Sequence, residues 1–475
     1  MRRFSIFLAG GLAAAFASGA LAQDIITKKY DDGSVYEGSF VNGLQEGTGT
    51  YRLPNGYEYS GDWVAGVISG KGKAHFPNGS VYEGQFVSGK PEGQGTITFA
   101  NGGTYTGDWT NGEMTGSGKV TYANGAVYDG ALLAGKHHGK GILVDADGNR
   151  YEGDWVDGNM QGKGKFTYSD GTTYDGDFAG GERSGKGTLI LPDGLTYVGD
   201  WKSGQTNGTG KLTQPNGDSY QGPFVDGQRS GDGKITFANG DSYSGGFLAD
   251  KRSGKGIFTA KDGTIYEGDW VAGQMQGMGK MTYPNGDIYS GGFVADQQDG
   301  NGKIAYADGS TYDGDWKAGA ISGSGKAVYA NGASYEGMLA NALPDGKGAM
   351  SYADGFRYEG DWKAGRREGN GTATWADGTS YTGMFKNGLR DGKGKLVQPD
   401  GFSYEGDWAA GEMTGQGIAL YPGGDRFEGG FVAGKREGLG LLTYSNGKTA
   451  NGTWTKGILT APAPEQAPDA TAPAN

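Results

Sequence analysis

Histidines are the first residues to consider for chemistry in this chain of 475 residues, which contains three of them, His75, His137 and His138. The two adjacent imidazoles, between Lys136 and Gly139, could bind a metal ion if a carboxylate joined them. With a single such cluster and no fitting serine motif, we predict neither a metal site nor a hydrolytic triad. The chain has no Cys, which excludes thiol nucleophiles, disulfides and cysteine-based metal sites.

Paired carboxylates and glycine motifs recur along the chain. Glu152 and Asp154 are two residues apart, but similar pairs recur opposite lysines, which indicates a solvated strand face rather than a catalytic pair. The recurrent Gly-x-Gly opens a strand and not a helix, so it is not a phosphate-binding loop. The Asp-Gly turns lack the alternating Asp spacing of a calcium loop, and weak cation binding there is the open alternative. We predict no catalytic residue and no cofactor.

Aromatic residues, 12% of the chain, are the remaining candidates for a binding surface. Rings can cover the gaps that glycines leave in a strand. A partly exposed stripe of rings would instead suit sugar rings, peptide strands or an identical sheet. The two interpretations are compatible. The candidate ligand track consists of Trp63, Trp109, Trp155, Trp201, Trp270, Trp316, Trp362 and Trp408.

A repeat of 23 residues positions these side chains. Its anchor ring is first Tyr36 and last Phe427, without insertion or deletion, and a degenerate nineteenth copy begins at Ala450. In each copy two runs alternate between large or Gly residues and polar residues, which predicts two strands with one apolar face. Gly contributes 99 residues, which disfavours helices. The fold class that we predict is all-β, an elongated single-layer twisted antiparallel meander of about 19 hairpin repeats.

The copy at residues 151–173 illustrates the expected hairpin. The expected register pairs Tyr151 with Tyr168, Gly153 with Phe166, Trp155 with Gly164, and Asp154 with Lys165. The Asn-Gly or Asp-Gly turn between copies must contain an odd number of residues, three or five, for the rings to share a face. Within a copy we expect a loop of about eight residues.

A longer period overlies the repeat. The ring four residues after each anchor alternates mainly between Trp and Phe, and the second half copies the first at an offset of 207 residues, including the matched Leu132 and Leu339. A tandem duplication of nine repeats explains this pattern. The predicted organisation is a signal peptide at 1–22, a lead-in at 23–35, repeat blocks at 36–242 and 243–449, a degenerate repeat at 450–460, and a disordered Pro/Ala-rich tail at 461–475.

The pattern Y-E-G-D-W-x-x-G-x-x-x-G-x-G at this period resembles the MORN repeat family, most closely at 151–164, 266–279, 358–371 and 404–417. The resemblance covers essentially residues 30 to 458. It implies a twisted β-meander that works as a scaffold or binding surface. Phospholipid binding is often proposed for the family, and no fused catalytic domain is present here.

The N-terminus predicts export. Arg2 and Arg3 precede an apolar run, and Ala20 and Ala22 frame a cleavage site before Gln23. The mature protein would be periplasmic or secreted, without an integral membrane span; an uncleaved anchor is the alternative. Loss of the two arginines takes the net charge from −12 to −14, which disfavours nucleic acid and anionic lipid surfaces as partners. We predict a non-enzymatic envelope scaffold that binds proteins or itself. The alternative is glycan or phospholipid-headgroup binding through the tryptophan track.

Overall fold

The structure, a computed structural model, describes residues 24–463, which form strands and turns and contain no helix. The chain divides into two compact bodies, an N-terminal body that ends at Pro215 and a C-terminal body that begins at Asn216. The predicted signal peptide, its cleavage site and residues 464–475 of the predicted tail lie outside the described residues. The predicted block boundary at 242/243 concerns sequence repetition and stays a prediction.

The N-terminal body contains seventeen strands within its described residues, and neighbours in sequence pair antiparallel. Their bounds are Ile26–Lys29, Val35–Val41, Leu44–Arg52, Glu58–Val64, Val67–His75, Val81–Val87, Lys90–Thr98, Thr104–Thr110, Glu113–Thr121, Val127–Leu133, Lys136–Val144, Arg150–Val156, Asn159–Thr167, Thr173–Ala179, Glu182–Ile190, Thr196–Lys202 and Gln205–Thr213.

The C-terminal body contains twenty-three strands up to residue 463. Neighbours in sequence again pair antiparallel, except that Gln228–Arg229 and Gly231–Thr236 both pair with Ser219–Val225. Their bounds are Ser219–Val225, Gln228–Arg229, Gly231–Thr236, Ser242–Leu248, Lys251–Thr259, Ile265–Val271, Gln274–Thr282, Ile288–Val294, Gln297–Ala305, Thr311–Lys317, Ala320–Val328, Ser334–Ala340, Leu343–Ser351, Arg357–Lys363, Arg366–Thr374, Ser380–Lys386, Leu389–Val397, Ser403–Ala409, Glu412–Leu420, Arg426–Val432, Lys435–Thr443, Thr449–Thr455 and Ile458–Pro462.

The predicted all-β meander of hairpin repeats is confirmed in each body. A typical repeat has a first strand of seven residues, Arg150–Val156, and a second strand of nine, Asn159–Thr167. The last strand, Ile458–Pro462, pairs with Thr449–Thr455, so the degenerate repeat forms a hairpin that includes two residues assigned to the tail.

The turn within a repeat differs from the prediction. Only Asp157 and Gly158 separate the two strands, with φ angles of 49° and 88°. Two successive residues at positive φ are the mark of a type I′ turn, whose twist matches that of a hairpin. The expected loop of about eight residues is therefore wrong, because the residues after Gly158 join the second strand.

The turn between repeats agrees with the prediction of an odd number of residues. Five residues, 168–172, separate the paired residues Thr167 and Thr173. The N–H of Tyr168 donates to the carbonyl of Thr172 at 2.8 Å, and the N–H of Gly171 donates to the carbonyl of Tyr168 at 3.0 Å. The Asp170 carboxylate accepts the N–H of Thr172 at 2.7 Å, which explains Asp or Asn in this turn.

The register is shifted by two residues from the prediction. Tyr151 pairs with Phe166 and not with Tyr168, and Gly153 pairs with Gly164. A Cβ on either glycine would overlap the phenol ring of Tyr151. The ring thus lies flat over a pair of glycines, which confirms the prediction that rings cover glycine gaps and explains why this register is preferred.

A bulge follows the glycine pair. Trp155 lies opposite Met160, so three residues of the second strand face the single residue Asp154. Its carboxylate accepts the N–H of Lys163 at 3.3 Å and thereby holds the bulge. The predicted pairing of Asp154 with Lys165 is therefore wrong, because Lys165 lies opposite Glu152. The aspartate of the Y-E-G-D-W pattern instead has a structural role in the bulge.

The sheet has two different faces. The ring face carries the anchor tyrosines, the Trp or Phe four residues later, and the residue nine positions after the anchor. The polar face carries the residues at one, three and five positions after the anchor, such as Glu152, Asp154 and Val156. The core of each body lies on the ring face, where most of the anchor tyrosines are fully buried.

Candidate functional site

The predicted tryptophan track lies on the ring face and is buried. The eight indoles, Trp63, Trp109, Trp155, Trp201, Trp270, Trp316, Trp362 and Trp408, are between 3 and 7% exposed. Each donates its Nε1–H to a glycine carbonyl of the preceding repeat, at 3.0 to 3.3 Å. These eight indoles therefore do not offer the open ring surface that stacking of a sugar would require.

Trp155 shows how the indoles are enclosed. Its ring meets Tyr151 edge to face at 5.0 Å and Tyr128 of the preceding repeat at 5.6 Å. The hydroxyl of Tyr151 donates to the carbonyl of Asp154 at 2.9 Å, so the phenol is buried with its polar atom satisfied. Burial raises the pKa of this phenol to about 12. The alternation of Trp and Phe is thus a packing feature that links successive repeats.

A further set of side chains covers the tyrosine and tryptophan rings. It comes from the residue nine positions after each anchor, a position that was not predicted from the sequence to have a role. The guanidinium of Arg252 lies 4.0 Å from the centre of the Trp270 ring, and that of Arg390 lies 4.1 Å from Trp408. These distances correspond to cation–π contacts. The signal that could have found them is the recurrence of Arg at one position of the repeat.

His137 occupies the same covering position. Its imidazole stacks on Tyr128 with ring centres 3.6 Å apart and meets the edge of Trp155 at 4.7 Å. Its Nε2 is 2.7 Å from the hydroxyl of Tyr122. Desolvation lowers the pKa of this imidazole to about 4, which keeps it neutral at physiological pH. His137 is therefore a packing residue within the ring face.

The remaining histidines do not form a site with it. His75 is exposed in another repeat, and the Nδ1 atom of the half-buried His138 has no hydrogen-bond partner. Within residues 24–463, no three His, Cys, Asp or Glu side chains are grouped as metal ligands.

The carboxylates of the polar face pair with lysines of neighbouring strands. Asp154 lies 2.6 Å from Lys140 of the preceding repeat, while Glu152 lies opposite Lys165. Equivalent Lys–Asp contacts recur at 2.6 to 3.1 Å for Asp177, Asp200, Asp269, Asp361 and Asp407. Exposed pairs of this kind contribute little stability each. They agree with the interpretation of a solvated strand face.

Shallow hollows open on the polar face above the glycine pairs. One of 780 Å³ lies in the N-terminal body between Thr48 and Gln94. Three of 520 to 770 Å³ lie in the C-terminal body, and Lys, Glu, Ser and Thr side chains border them. The tyrosine rings cover the glycine pairs on the ring face, and glycine has no side chain to cover the polar face. The floor of each hollow is therefore backbone, with charged side chains at its borders.

The hairpin ends carry exposed aliphatic residues on the polar face. In the first three repeats Val41, Leu44, Val64, Val67 and Val87 are each 41 to 53% exposed. We call these five residues the tip patch. Val41 pairs with Leu44 and Val64 with Val67 across their turns, and Val87 is at the corresponding position of the third repeat. Contiguous exposed apolar residues are typical of surfaces that bind another macromolecule.

Comparison with known proteins identifies the repeat. The family model described as the MORN repeat matches eighteen consecutive segments of the chain. The matched residues are 36–56, 59–81, 82–104, 105–127, 128–150, 151–173, 174–196, 197–219, 220–242, 243–265, 266–288, 289–311, 312–334, 335–357, 358–380, 381–402, 404–426 and 427–449.

Similarity to individual proteins is more limited. Alsin from Rattus norvegicus is 41% identical over 56 residues, which represent 11% of this chain and 3% of alsin. The chain thus spans a small fraction of that relative. Among solved structures, the TCP domain of Drosophila melanogaster SAS-4 with a proline-rich motif of Ana2 is 17% identical, covers 38% of this chain and 96% of that domain, and has a TM-score of 0.22. The TCP10 domain of Danio rerio CPAP with a STIL peptide is 14% identical, covers 62% and 99%, and has a TM-score of 0.16.

Proposed function

The chain belongs to the MORN repeat family, and from this premise we propose that it is a non-enzymatic scaffold of the cell envelope that binds proteins or a second copy of itself. The observation that carries the proposal is the contrast between the two faces. The ring face is closed by tyrosine, tryptophan and their covering side chains. The polar face and its hairpin ends leave apolar and charged side chains available to a partner.

The tip patch is the part of this surface that we propose to make the first contact. Its aliphatic side chains contribute a hydrophobic centre, and the ion pair of Lys73 with Glu83 lies on the same polar face. Interfaces commonly combine an apolar centre with a polar rim. A repeat scaffold can present such patches at a fixed spacing without any catalytic group.

The test combines light scattering after size-exclusion chromatography with capture of partners from a periplasmic fraction. We expect self-association or specific capture, and expect both to be lost in the triple variant Val41→Glu, Val64→Glu, Val87→Glu. Ala409→Glu changes an exposed residue at the same position of a later repeat and is the matched control. A strictly monomeric protein without a partner, or an unaffected triple variant, would contradict the proposal.

Export is a separate part of the proposal. A basic start, an apolar run and small residues at 20 and 22 support removal of residues 1–22. Mass spectrometry of the protein from fractionated cells should find a chain that begins at Gln23 in the periplasm or medium. A full-length chain in the cytoplasm would exclude this route. No membrane-spanning helix occurs among the described residues.

The alternative of glycan or headgroup binding through the tryptophan track has less support after the indoles are placed. Their burial leaves the ring faces in contact with protein. A glycan array with the wild-type chain and the variants Trp155→Ala and Trp362→Ala tests this alternative directly. Binding that depends on those indoles would favour it over the scaffold proposal.

A further inference from the structure

One repeat of the N-terminal body contains a hollow of 230 Å³ on the otherwise closed ring face. Asp145, Met160 and Phe166 border it, together with the edges of Tyr151 and Trp155. It differs from the hollows of the polar face because aromatic and aliphatic side chains form most of its wall.

The hollow exists because one residue of the preceding repeat is too short. Asp145 is seventeen positions after its anchor, where the adjacent repeats carry Tyr122 and Tyr168. Tyr122 reaches the covering residue of the next repeat, His137, and its hydroxyl lies 2.7 Å from the imidazole. The shorter carboxylate of Asp145 leaves the corresponding space over Met160 unfilled.

Asp145 is the single charged residue in the wall of this hollow. One carboxylate oxygen accepts the backbone N–H groups of Asp147 and Asn149, and the other accepts the side-chain amide of Asn149 at 2.8 Å. Three donors leave acceptor capacity on a carboxylate, which can accept about four hydrogen bonds. The hydrogen bond from Asn149 lowers the pKa of Asp145 and keeps this wall negatively charged.

The ring face already accepts cations elsewhere. In other repeats the chain places its own guanidinium against these rings, as Arg252 does at 4.0 Å from Trp270 and Arg390 at 4.1 Å from Trp408. In the repeat with the hollow, Met160 stands at that position, so the chain contributes no cation there. The hollow therefore offers a carboxylate and aromatic rings but no cation of the chain itself. Such a wall is complementary to a cationic ligand.

We propose that this hollow binds a small organic cation with a flat apolar body, of the class of protonated arylalkylamines. The ammonium group would donate to Asp145 and the ring would lie against Phe166 and Met160. The volume is below the range of drug-sized ligand pockets, about 300 to 1,000 Å³, so the ligand is a fragment of one ring. This site is independent of the scaffold proposal, because it lies on the opposite face from the tip patch.

The experiment is calorimetric titration of the full chain at neutral pH with 2-phenylethylammonium chloride, and in parallel with 2-phenylethanol as the neutral analogue. We expect one saturable site for the ammonium compound and weaker binding of the alcohol. Asp145→Asn should weaken binding of the ammonium compound by about tenfold, the loss of a charge-assisted hydrogen bond, and leave the alcohol unchanged.

Two further variants control for folding and for general charge. Asp145→Tyr fills the hollow with the residue found in the adjacent repeats, so it should fold normally by circular dichroism and lose binding of both compounds. Asp193→Asn removes a carboxylate from another turn of the same body, where it accepts the N–H of Leu195, and should change nothing. Absence of binding to the wild-type chain, or undiminished binding to Asp145→Tyr, would overturn the proposal.

Discussion

Gly153 and Gly164 face each other beneath the ring of Tyr151, and this arrangement predicts that neither position accepts a side chain. A methyl group at Gly164 would overlap the phenol, so Gly164→Ala must displace the ring that closes the hairpin. Over-packing of this kind costs roughly 1–3 kcal/mol. Hydrogen exchange of residues 151–166 should show faster opening in this variant. The control is Gly423→Ala, because a Cβ at Gly423 meets nothing within 4 Å; equal effects of the two changes would contradict the packing account.

His137 predicts a local sensitivity to acid. Burial lowers the pKa of its imidazole from 6.5 to about 4, so the folded state favours the neutral ring. Its contribution to stability is present above pH 6.5 and is lost as the pH falls toward 4. Hydrogen exchange of residues 128–155 should therefore accelerate over this range.

Replacement by the residue of the flanking repeats provides the control for this effect. Met114 and Met160 occupy the equivalent position, so His137→Met should preserve the packing and remove that acid-dependent change. Replacement of the exposed His75 by Gln should leave the acceleration in place. Identical pH profiles for the wild-type chain and His137→Met would show that the imidazole does not control this region.

Among the elements, the junctions between repeats are not equivalent. A repeat with Trp donates an indole N–H to the preceding repeat, as Trp155 does to the carbonyl of Gly141 at 3.2 Å. A repeat with Phe, such as that of Phe178, keeps the ring contact with Tyr151 but has no donor. Strand pairs that precede a Trp repeat should therefore open less readily, by about 0.5–1.5 kcal/mol for a hydrogen bond.

This difference can be measured within one body. Hydrogen exchange across residues 105–190 should alternate between slower and faster junctions. Trp155→Phe should make its junction resemble that of Phe178, with little change elsewhere. Uniform exchange, or an effect of Trp155→Phe that spreads evenly over the body, would contradict a local role for the indole.

The chain as a whole should be sensitive to alkali. Burial raises the pKa of anchor phenols such as Tyr105, Tyr266 and Tyr404 from 10 to about 12, and many other anchors share this shift. A raised pKa means that the stability is intact below pH 10 and is lost as the pH rises through 12. Tyrosinate absorbance and far-ultraviolet circular dichroism should change together in this range. Ionisation of all tyrosines near pH 10 with an intact sheet would contradict this coupling.

The amino-acid sequence by itself determined the repeat, the presence of two alternating strands in each copy, and the odd number of residues in the turn between copies. Gly and ring residues alternate with period two, and alternation fixes which side chains share a face. The same alternation accounts for the correct prediction that rings cover glycines. It also allowed the carboxylates of the polar face to be interpreted as a solvated strand face, and not as catalytic pairs, before any contact was known.

Only the tertiary structure decided the register and the fate of the tryptophans. A shift of one residue exchanges the two faces, but a shift of two leaves every face unchanged, so the pattern could not distinguish Tyr151–Tyr168 from Tyr151–Phe166. That choice depends on how a phenol fits over a glycine pair and on the bulge held by Asp154. Burial of the indoles depends likewise on residues of the neighbouring repeats, because exposure is a property of contacts in three dimensions and not of spacing along the chain.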